Sequence, residues 1–191
     1  MLSKLSKMPV SMTIIIVWVI VWLLVISNKN ILPVLGGKGI AQIGNQYYRF
    51  FSAGLTHKNV VHLIFNVCAM FWIGYLYENR IGSIRFLLIG FVCAVICQIV
   101  FLSIYSNIPE SVGGSAYNFA LCGFALTMQF LAPGFPKMVF GTWSGSWLII
   151  YLLGSNIPIL SFMNVTTVIF HIIAFALGAC AALVCWLLGM R

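Results

Sequence analysis

One serine in this sequence has the neighbours that a nucleophile needs. Ser115 follows Gly113-Gly114 and stands at the start of an apolar run. Glycines allow a tight turn and a close approach of backbone and ligand. A helix that begins at this serine leaves amide N–H groups unpaired, and these can stabilise a developing oxyanion. The pattern indicates acyl transfer to an activated hydroxyl group.

A nucleophilic serine needs a base, and the chain contains three histidines and no Asp. His57 falls in a loop, whereas His62 and His171 lie in apolar runs near one membrane face. Small residues, which let helices pack closely, recur near two of the candidates; they are Ala174, Gly178, Ala181 and Ala182 after His171, and Ala116, Ala120 and Gly123 after Ser115. Such packing would bring Ser115 within hydrogen-bond reach of His171. Because Asp is absent, we predict a Ser-His dyad.

A second polar pair could complete such a site. His62 and Asn66 are four residues apart, so they share one helical face. Both side chains carry N–H donors that could bind an oxyanion. The alternative for any one of these residues is a hydrogen bond to a neighbouring helix with no role in chemistry. The combination favours the catalytic interpretation, because polar groups at bilayer depth are costly.

The composition indicates where these residues lie. The chain of 191 residues is 62% hydrophobic and 6% charged, which predicts a single membrane domain over residues 1–191 with lipid as its solvent. The net charge of +8 comes from basic residues spread singly, so no nucleic-acid partner is expected. The six cysteines lie in apolar runs without ligand spacing, and no HExxH motif occurs. We therefore expect no metal and no cofactor, and a metal site of His62, His171 and a cysteine is the weakest alternative.

A membrane-spanning helix needs about 20 mostly apolar residues. This length predicts an all-α bundle of six transmembrane helices, at about 10–26, 60–77, 85–105, 115–131, 138–153 and 166–188. A long outer loop, 28–59, joins the first two. The first helix lacks a small-x-small cleavage site and is expected to stay uncleaved.

The basic residues predict the orientation. Six lie on the side of the termini (Lys4, Lys7, Arg80, Arg85, Lys137 and Arg191) and four lie opposite (Lys29, Lys38, Arg49 and Lys58). Lys and Arg concentrate in cytoplasmic loops. We expect an inner-membrane protein with cytoplasmic termini and a site that opens to the outer face.

Several segments together resemble the rhomboid intramembrane serine proteases, particularly the compact six-helix bacterial form. HLIFN at 62–66 is similar to the family's HxxxN, and GGSAYNFALCG at 113–123 to its GxSG nucleophile segment. HIIAFALG at 171–178 resembles the helix of the catalytic histidine. YRFFSAGLTH at 48–57 and YENRIGSIRF at 77–86 resemble the first loop and the turn after the second helix.

The resemblance implies a fold, an activity and residue roles. It implies a rhomboid-like bundle that cleaves transmembrane protein substrates within the lipid bilayer. Ser115 would be the nucleophile and His171 the base, with His62, Asn66 and the Ser115 amide as the oxyanion hole. Phe119 would pack on His171, next to a turn formed by Gly113 and Gly114. The resemblance also implies structural roles for Arg49 and Glu78 and no catalytic role for His57.

Three positions depart from the family pattern. Ala116 and Ala174 replace glycines, and Tyr48 stands where Trp is usual. The Ala116 departure keeps open a catalytically inactive rhomboid-like protein that binds membrane clients; a small transporter or channel is a further alternative. Asn118 receives no role, and the substrate is not predicted. The loop 154–165, with Pro158, Phe162 and Met163, is a candidate lid over the site.

Overall fold

The computed structural model describes residues 5–157 and 165–189. Six long helices make up most of these two ranges. Their bounds are α1 Pro9–Ser27, α2 Val60–Ile73, α3 Ser83–Ile104, α4 Ser115–Leu131, α5 Trp143–Gly154 and α6 Val165–Leu187. The predicted all-α membrane bundle is confirmed.

Four helices in the described part of the chain are long and apolar enough to cross a membrane. They are α1, α2 with its extension to Ile81, α3 and α6. Their outward faces expose large apolar side chains such as Leu24, Val92 and Val184. These faces need an apolar solvent, which lipid provides.

The fifth helix is shorter than the sequence predicts. It was expected at 138–153, but α5 begins at Trp143 and has 12 residues. The local backbone explains the late start. Gly141 has a φ of 93°, which ends any helix before it, and the Thr142 hydroxyl accepts the N–H of Gly145 at 3.1 Å as an N-cap. At 1.5 Å per residue, α5 extends about 18 Å, well short of the roughly 30 Å hydrocarbon core.

Helix α4 is the centre of the bundle. Every residue from Ser115 to Ala125 is buried, whereas α1, α3 and α6 are each largely exposed on one side. Its main neighbours are α6 and α3, with α2 making a smaller contact. The site residues at the start of α4 are therefore enclosed by protein.

The other end of the bundle is held by a buried carboxylate. Helix α2 continues through a π-helical segment, Gly74–Glu78, and a short turn, Asn79–Ile81. The Glu78 carboxylate accepts the N–H groups of Val10 and Ser11, each at 2.8 Å, and the hydroxyls of Ser11 and Ser83. The first N–H groups of a helix have no acceptor within it. Glu78 supplies that acceptor for α1 and so ties α1 to the turn between α2 and α3.

The long loop 28–59, called loop 1 below, is folded rather than extended. It contains three short helices, Ile31–Leu35, Ile40–Ile43 and Arg49–Ser52, and a 3-10 turn, Ala53–Leu55. Arg49 is buried and donates to the carbonyls of Pro33 at 2.8 Å and Gly36 at 2.6 Å. An isolated bridge pairs Gly37 with Ser111. Loop 1 is thereby fixed beside the segment that leads into α4.

Candidate active site

Ser115 is the first residue of α4 and lines a cavity of about 630 Å³. His62, near the start of α2, lines the same cavity. The other walls come from loop 1, α3, the segment before α4 and α6, and include Lys58, Phe101, Glu110, Val112, Thr166 and Phe170. Because Ser115 begins a helix, its N–H has no acceptor within α4. The cavity is thus lined by a hydroxyl group, an imidazole and the N-terminus of a helix.

The two glycines before Ser115 are held by loop 1. Gly113 has a φ of 120° and donates its N–H to the Ala53 carbonyl at 3.0 Å. A Cβ at this position would collide with the His62 ring. Glycine therefore meets two requirements here, the left-handed backbone and the close approach of His62. Both keep the turn compact next to the serine.

His57 contacts the same turn from outside the cavity lining. Its ring lies edge-on to Trp18 and to His62, with centroids 5.2 Å away in each case. Burial, and secondarily the neighbouring His62, lowers the pKa of His57 from 6.5 to about 3. The ring is consequently neutral near pH 7, and its Nε2 can accept the Gly114 N–H, 3.4 Å away. His57 does not line the cavity.

Helices α4 and α6 pack at backbone contact. A Cβ at Gly178 would collide with the Ala120 carbonyl, and one at Gly123 with the Phe175 carbonyl. Such collisions mean that the two backbones touch where the glycines lie. The close packing predicted from the small residues is found, and it brings the His171 helix against the Ser115 helix.

The His171 ring is held on two sides. It stacks on Phe119 with a centroid distance of 4.0 Å and an angle of 8° between the planes. Its Nδ1 lies 3.0 Å from the Oδ1 of Asn156, in the turn after α5. Its Nε2 is buried and has no hydrogen-bond partner among the described residues. The predicted Ser115–His171 hydrogen bond is therefore not formed in this structure.

Asn66 lies one turn below His62 and belongs to a buried polar cluster. Its amide nitrogen donates to the His62 carbonyl at 2.9 Å. Its Oδ1 accepts from the Asn118 amide and from the Tyr151 hydroxyl, each at 3.1 Å. Asn66 is not among the described residues that line the cavity.

Three polar residues near the site were not assigned roles from the sequence. Asn118 links α4 to α2 and α5, and Tyr151 joins the same cluster. Asn156 contacts His171. A signal existed for Asn118, since it lies within a turn of Ser115 on an apolar helix. Asn156 gave none, because it stands in a break between two helices. Pro158, Phe162 and Met163 of the candidate lid lie outside the described residues.

The motifs and the geometry agree with one further comparison. A family model described as the Rhomboid domain matches residues 44–188, which is most of the chain. The chain belongs to the rhomboid family. A comparison with curated proteins finds no match. Within the rhomboid match, loop 1 from residue 44, the serine turn and the His171 helix are all included.

The three positions that depart from the rhomboid pattern lie in different parts of the fold. Ala116 lines a separate apolar pocket of about 220 Å³ that faces α1 and α3. Its methyl group is therefore on the side of α4 where Trp18 lies. Ala174 is fully buried in the core. Tyr48 donates its hydroxyl to the Val34 carbonyl at 3.1 Å within loop 1.

Proposed function

We propose that this rhomboid protein is an intramembrane serine endopeptidase that cleaves transmembrane segments of other membrane proteins. The observation that carries the proposal is the cavity lined by Ser115 and His62, with His171 held against α4 beside it. A hydroxyl group at a helix N-terminus, a neighbouring buried imidazole and extra N–H donors are the parts of an acyl-transfer site.

The reaction begins with attack of the Ser115 Oγ on the scissile carbonyl carbon. His171 Nε2 takes the hydroxyl proton as the new C–O bond forms. The tetrahedral intermediate collapses, the C–N bond breaks, and His171 returns its proton to the leaving amine. Water then attacks the acyl-enzyme with the same base, which releases the carboxylate product and restores Ser115.

The oxyanion is stabilised by donors on two helices. The Ser115 N–H and the helix α4 N-terminus lie on one side, and the side chains of His62 and Asn66 on the other. Removing one such donor from a serine protease costs roughly 100- to 1,000-fold in kcat. His62 lines the cavity, so its contribution exceeds that of the deeper Asn66.

The cavity also supplies the second substrate. Water reaches the acyl-enzyme only if the site connects to solvent, and charged residues at the cavity wall, Lys58 and Glu110, indicate a wetted end. A substrate helix must unwind locally to present a carbonyl, because its backbone groups are otherwise hydrogen-bonded. We expect substrates with small or helix-breaking residues near the scissile bond.

The orientation follows from the basic residues. We place the protein in the inner membrane with cytoplasmic termini, so that loop 1 and the cavity face the outer side. The substrate would then be cut near the outer end of its transmembrane segment.

The test uses a fluorophosphonate probe, which phosphonylates activated serines with loss of fluoride. Wild-type protein in detergent is expected to be labelled and to cleave a model transmembrane substrate. Ser115→Ala should abolish both, and His171→Ala should reduce both by at least about 1,000-fold. Ser144→Ala, in α5, is the matched control and should behave as wild type.

The alternative is a catalytically inactive client-binding rhomboid. Wild-type protein that stays unlabelled while a known serine hydrolase reacts with the same probe would contradict the protease proposal. So would cleavage that persists undiminished in Ser115→Ala.

A further inference from the structure

The contact between His171 and Asn156 crosses from one helix to the turn after another. Asn156 follows α5, and its Oδ1 lies 3.0 Å from His171 Nδ1. The nitrogen of the same side-chain amide donates to the Leu152 carbonyl at 2.6 Å. A carbonyl oxygen can only accept, so the nitrogen of the amide must face Leu152. The oxygen is thereby assigned to the side of His171.

This assignment fixes the proton on the imidazole. Because Asn156 Oδ1 is an acceptor, Nδ1 of His171 must carry the hydrogen. In a neutral ring, Nε2 then holds the free lone pair. Nε2 is the buried atom without a hydrogen-bond partner among the described residues. The ring is therefore in the tautomer that can take a proton at Nε2.

Two contacts restrain the ring. Stacking on Phe119 at 4.0 Å fixes the plane of the imidazole. The stack alone would still allow a half-turn about the Cβ–Cγ bond, which exchanges Nδ1 with Cδ2 and Nε2 with Cε1. The hydrogen bond from Nδ1 to Asn156 removes this freedom. It also strengthens when the ring becomes positively charged, since charge-assisted hydrogen bonds are the stronger ones.

We propose that Asn156 is a positioning residue that turns the Ser115–His171 pair into a Ser-His-Asn arrangement. The inference rests on the proposed protease function and adds a residue to it. The chain contains no Asp, so an Asp carboxylate cannot be the third member of the site. The side-chain amide of Asn156 takes that position instead. Asn156 orients His171 and stabilises the imidazolium without touching substrate.

A purely structural role is the competing explanation. Asn156 could serve only to end α5 through its bond to Leu152. Two substitutions separate the roles. Asn156→Ala removes both hydrogen bonds, whereas Asn156→Asp keeps an acceptor for His171 and loses the donor to Leu152.

The kinetic test compares these variants with wild type on a model transmembrane substrate. Asn156→Ala is expected to lower kcat by roughly 10- to 100-fold, the order expected for a misplaced catalytic group, with KM changed less than about twofold. Asn156→Asp should recover most of kcat. Its acid limb in the pH–rate profile should move to higher pH, because a carboxylate favours the protonated imidazole. Asn107→Ala, at an exposed position, is the control.

A second readout does not depend on turnover. Histidine labelled with 15N in the Ser115→Ala background gives ring signals from three histidines, and His171 is assigned by its loss in His171→Ala. The Nδ1–H tautomer is expected for His171. Adding Asn156→Ala should change its tautomer balance, while Asn156→Asp should keep it.

The outcomes are separable from those for the protease proposal. If Ser115→Ala cleaves as well as wild type, the protease proposal fails, whatever Asn156 does. If Ser115→Ala is inactive but Asn156→Ala keeps wild-type kcat, pH profile and tautomer, the positioning role is overturned. It is also overturned if Asn156→Asp is as inactive as Asn156→Ala, since loss of the Leu152 bond then explains both.

Discussion

Asn118 lies outside the cavity lining and holds the side chain of Asn66, one of the two proposed oxyanion donors. From the middle of the bundle its amide nitrogen donates to the Asn66 carbonyl and Oδ1, at 3.0 and 3.1 Å. Tyr151 donates to the same Oδ1. With its oxygen occupied in this way, the Asn66 amide turns its nitrogen to the His62 carbonyl, which leaves a second N–H for the proposed oxyanion role.

We predict that Asn118→Leu impairs cleavage more than folding. The Oδ1 of Asn118 has no hydrogen-bond partner in the described residues, so Leu removes one unsatisfied group as it removes the donated bonds. These effects offset, and the change in unfolding free energy should stay within about 1 kcal/mol. Without the bonds from Asn118, the Asn66 amide can rotate. We expect kcat to fall by roughly 10-fold with little change in KM. Cleavage rates and thermal unfolding in detergent measure the two.

The comparison variant is Tyr151→Phe. It removes one donor to Asn66 but leaves Asn118 in place, so its effect on kcat should be smaller. An Asn118→Leu protein with unchanged kcat would show that Asn66 does not need this support, or does not act on the oxyanion.

At the residue scale, the sequence predicts groups that share a helix or a motif. His62 and Ser115 were both expected near a site, and they line one cavity. Phe119, expected near His171 from the resemblance, stacks on it. Asn156 could not be predicted, because its contact depends on the path of the chain after α5. Asn118 was visible as a buried polar residue, but its partners lie on two other helices.

Among the elements, α4 and α6 pack too closely to accept added side-chain atoms at their contact. The two helices meet with no room for a Cβ at Gly178, where the Ala120 carbonyl lies. Interiors that are close-packed transmit such a change as a backbone shift. A shift here separates the helices that carry Ser115 and His171.

We predict that Gly178→Ala destabilises the protein and slows cleavage. Overpacking of this kind typically costs about 1–3 kcal/mol. A displacement near 1 Å between Ser115 and His171, the proposed catalytic pair, would lower kcat by roughly 100-fold. Thermal unfolding and cleavage of the model substrate provide the measurements.

Gly154→Ala is the matched control, since a Cβ there meets nothing within 4 Å. Gly154 is the last residue of α5, and the substitution should be neutral or stabilise by up to about 1 kcal/mol. Equal effects of the two substitutions would contradict a special contact between α4 and α6.

The sequence predicts helices best where their ends carry local signals. The start and end of α4 match the expected 115–131, because glycines precede it and Pro133-Gly134 follows. The expected start of the fifth helix was wrong by five residues, because the lack of charge between Met138 and Trp143 hides a boundary that Gly141 and the Thr142 N-cap set. The π-helical segment Gly74–Glu78 has no sequence signal of its own. Glu78, at the end of this segment, accepts the N–H groups at the start of α1.

For the whole molecule, composition alone predicts the class of fold. A chain of this length with so few charges exposes an apolar surface, which is stable only in lipid. Helices suit that solvent because they hydrogen-bond their own backbone groups. The internal order of loop 1 was less predictable. Its short helices depend on buried Arg49 and on the bridge to Ser111, which are contacts between distant parts of the chain.

The orientation of the molecule decides which compartment the cavity serves, and it can be tested by cysteine labelling. Lys29 is exposed in loop 1, at the cavity end, and Arg80 is exposed at the opposite end of α2. We predict that Lys29→Cys reacts with a membrane-impermeant maleimide in intact spheroplasts, whereas Arg80→Cys reacts only after permeabilisation, because Lys and Arg are retained on the cytoplasmic side.

Wild type is the background control, since its six cysteines lie in apolar helices. The reverse pattern would place the cavity in the cytoplasm and overturn the proposed cleavage at the outer end of substrates, while leaving the Ser115 chemistry untouched.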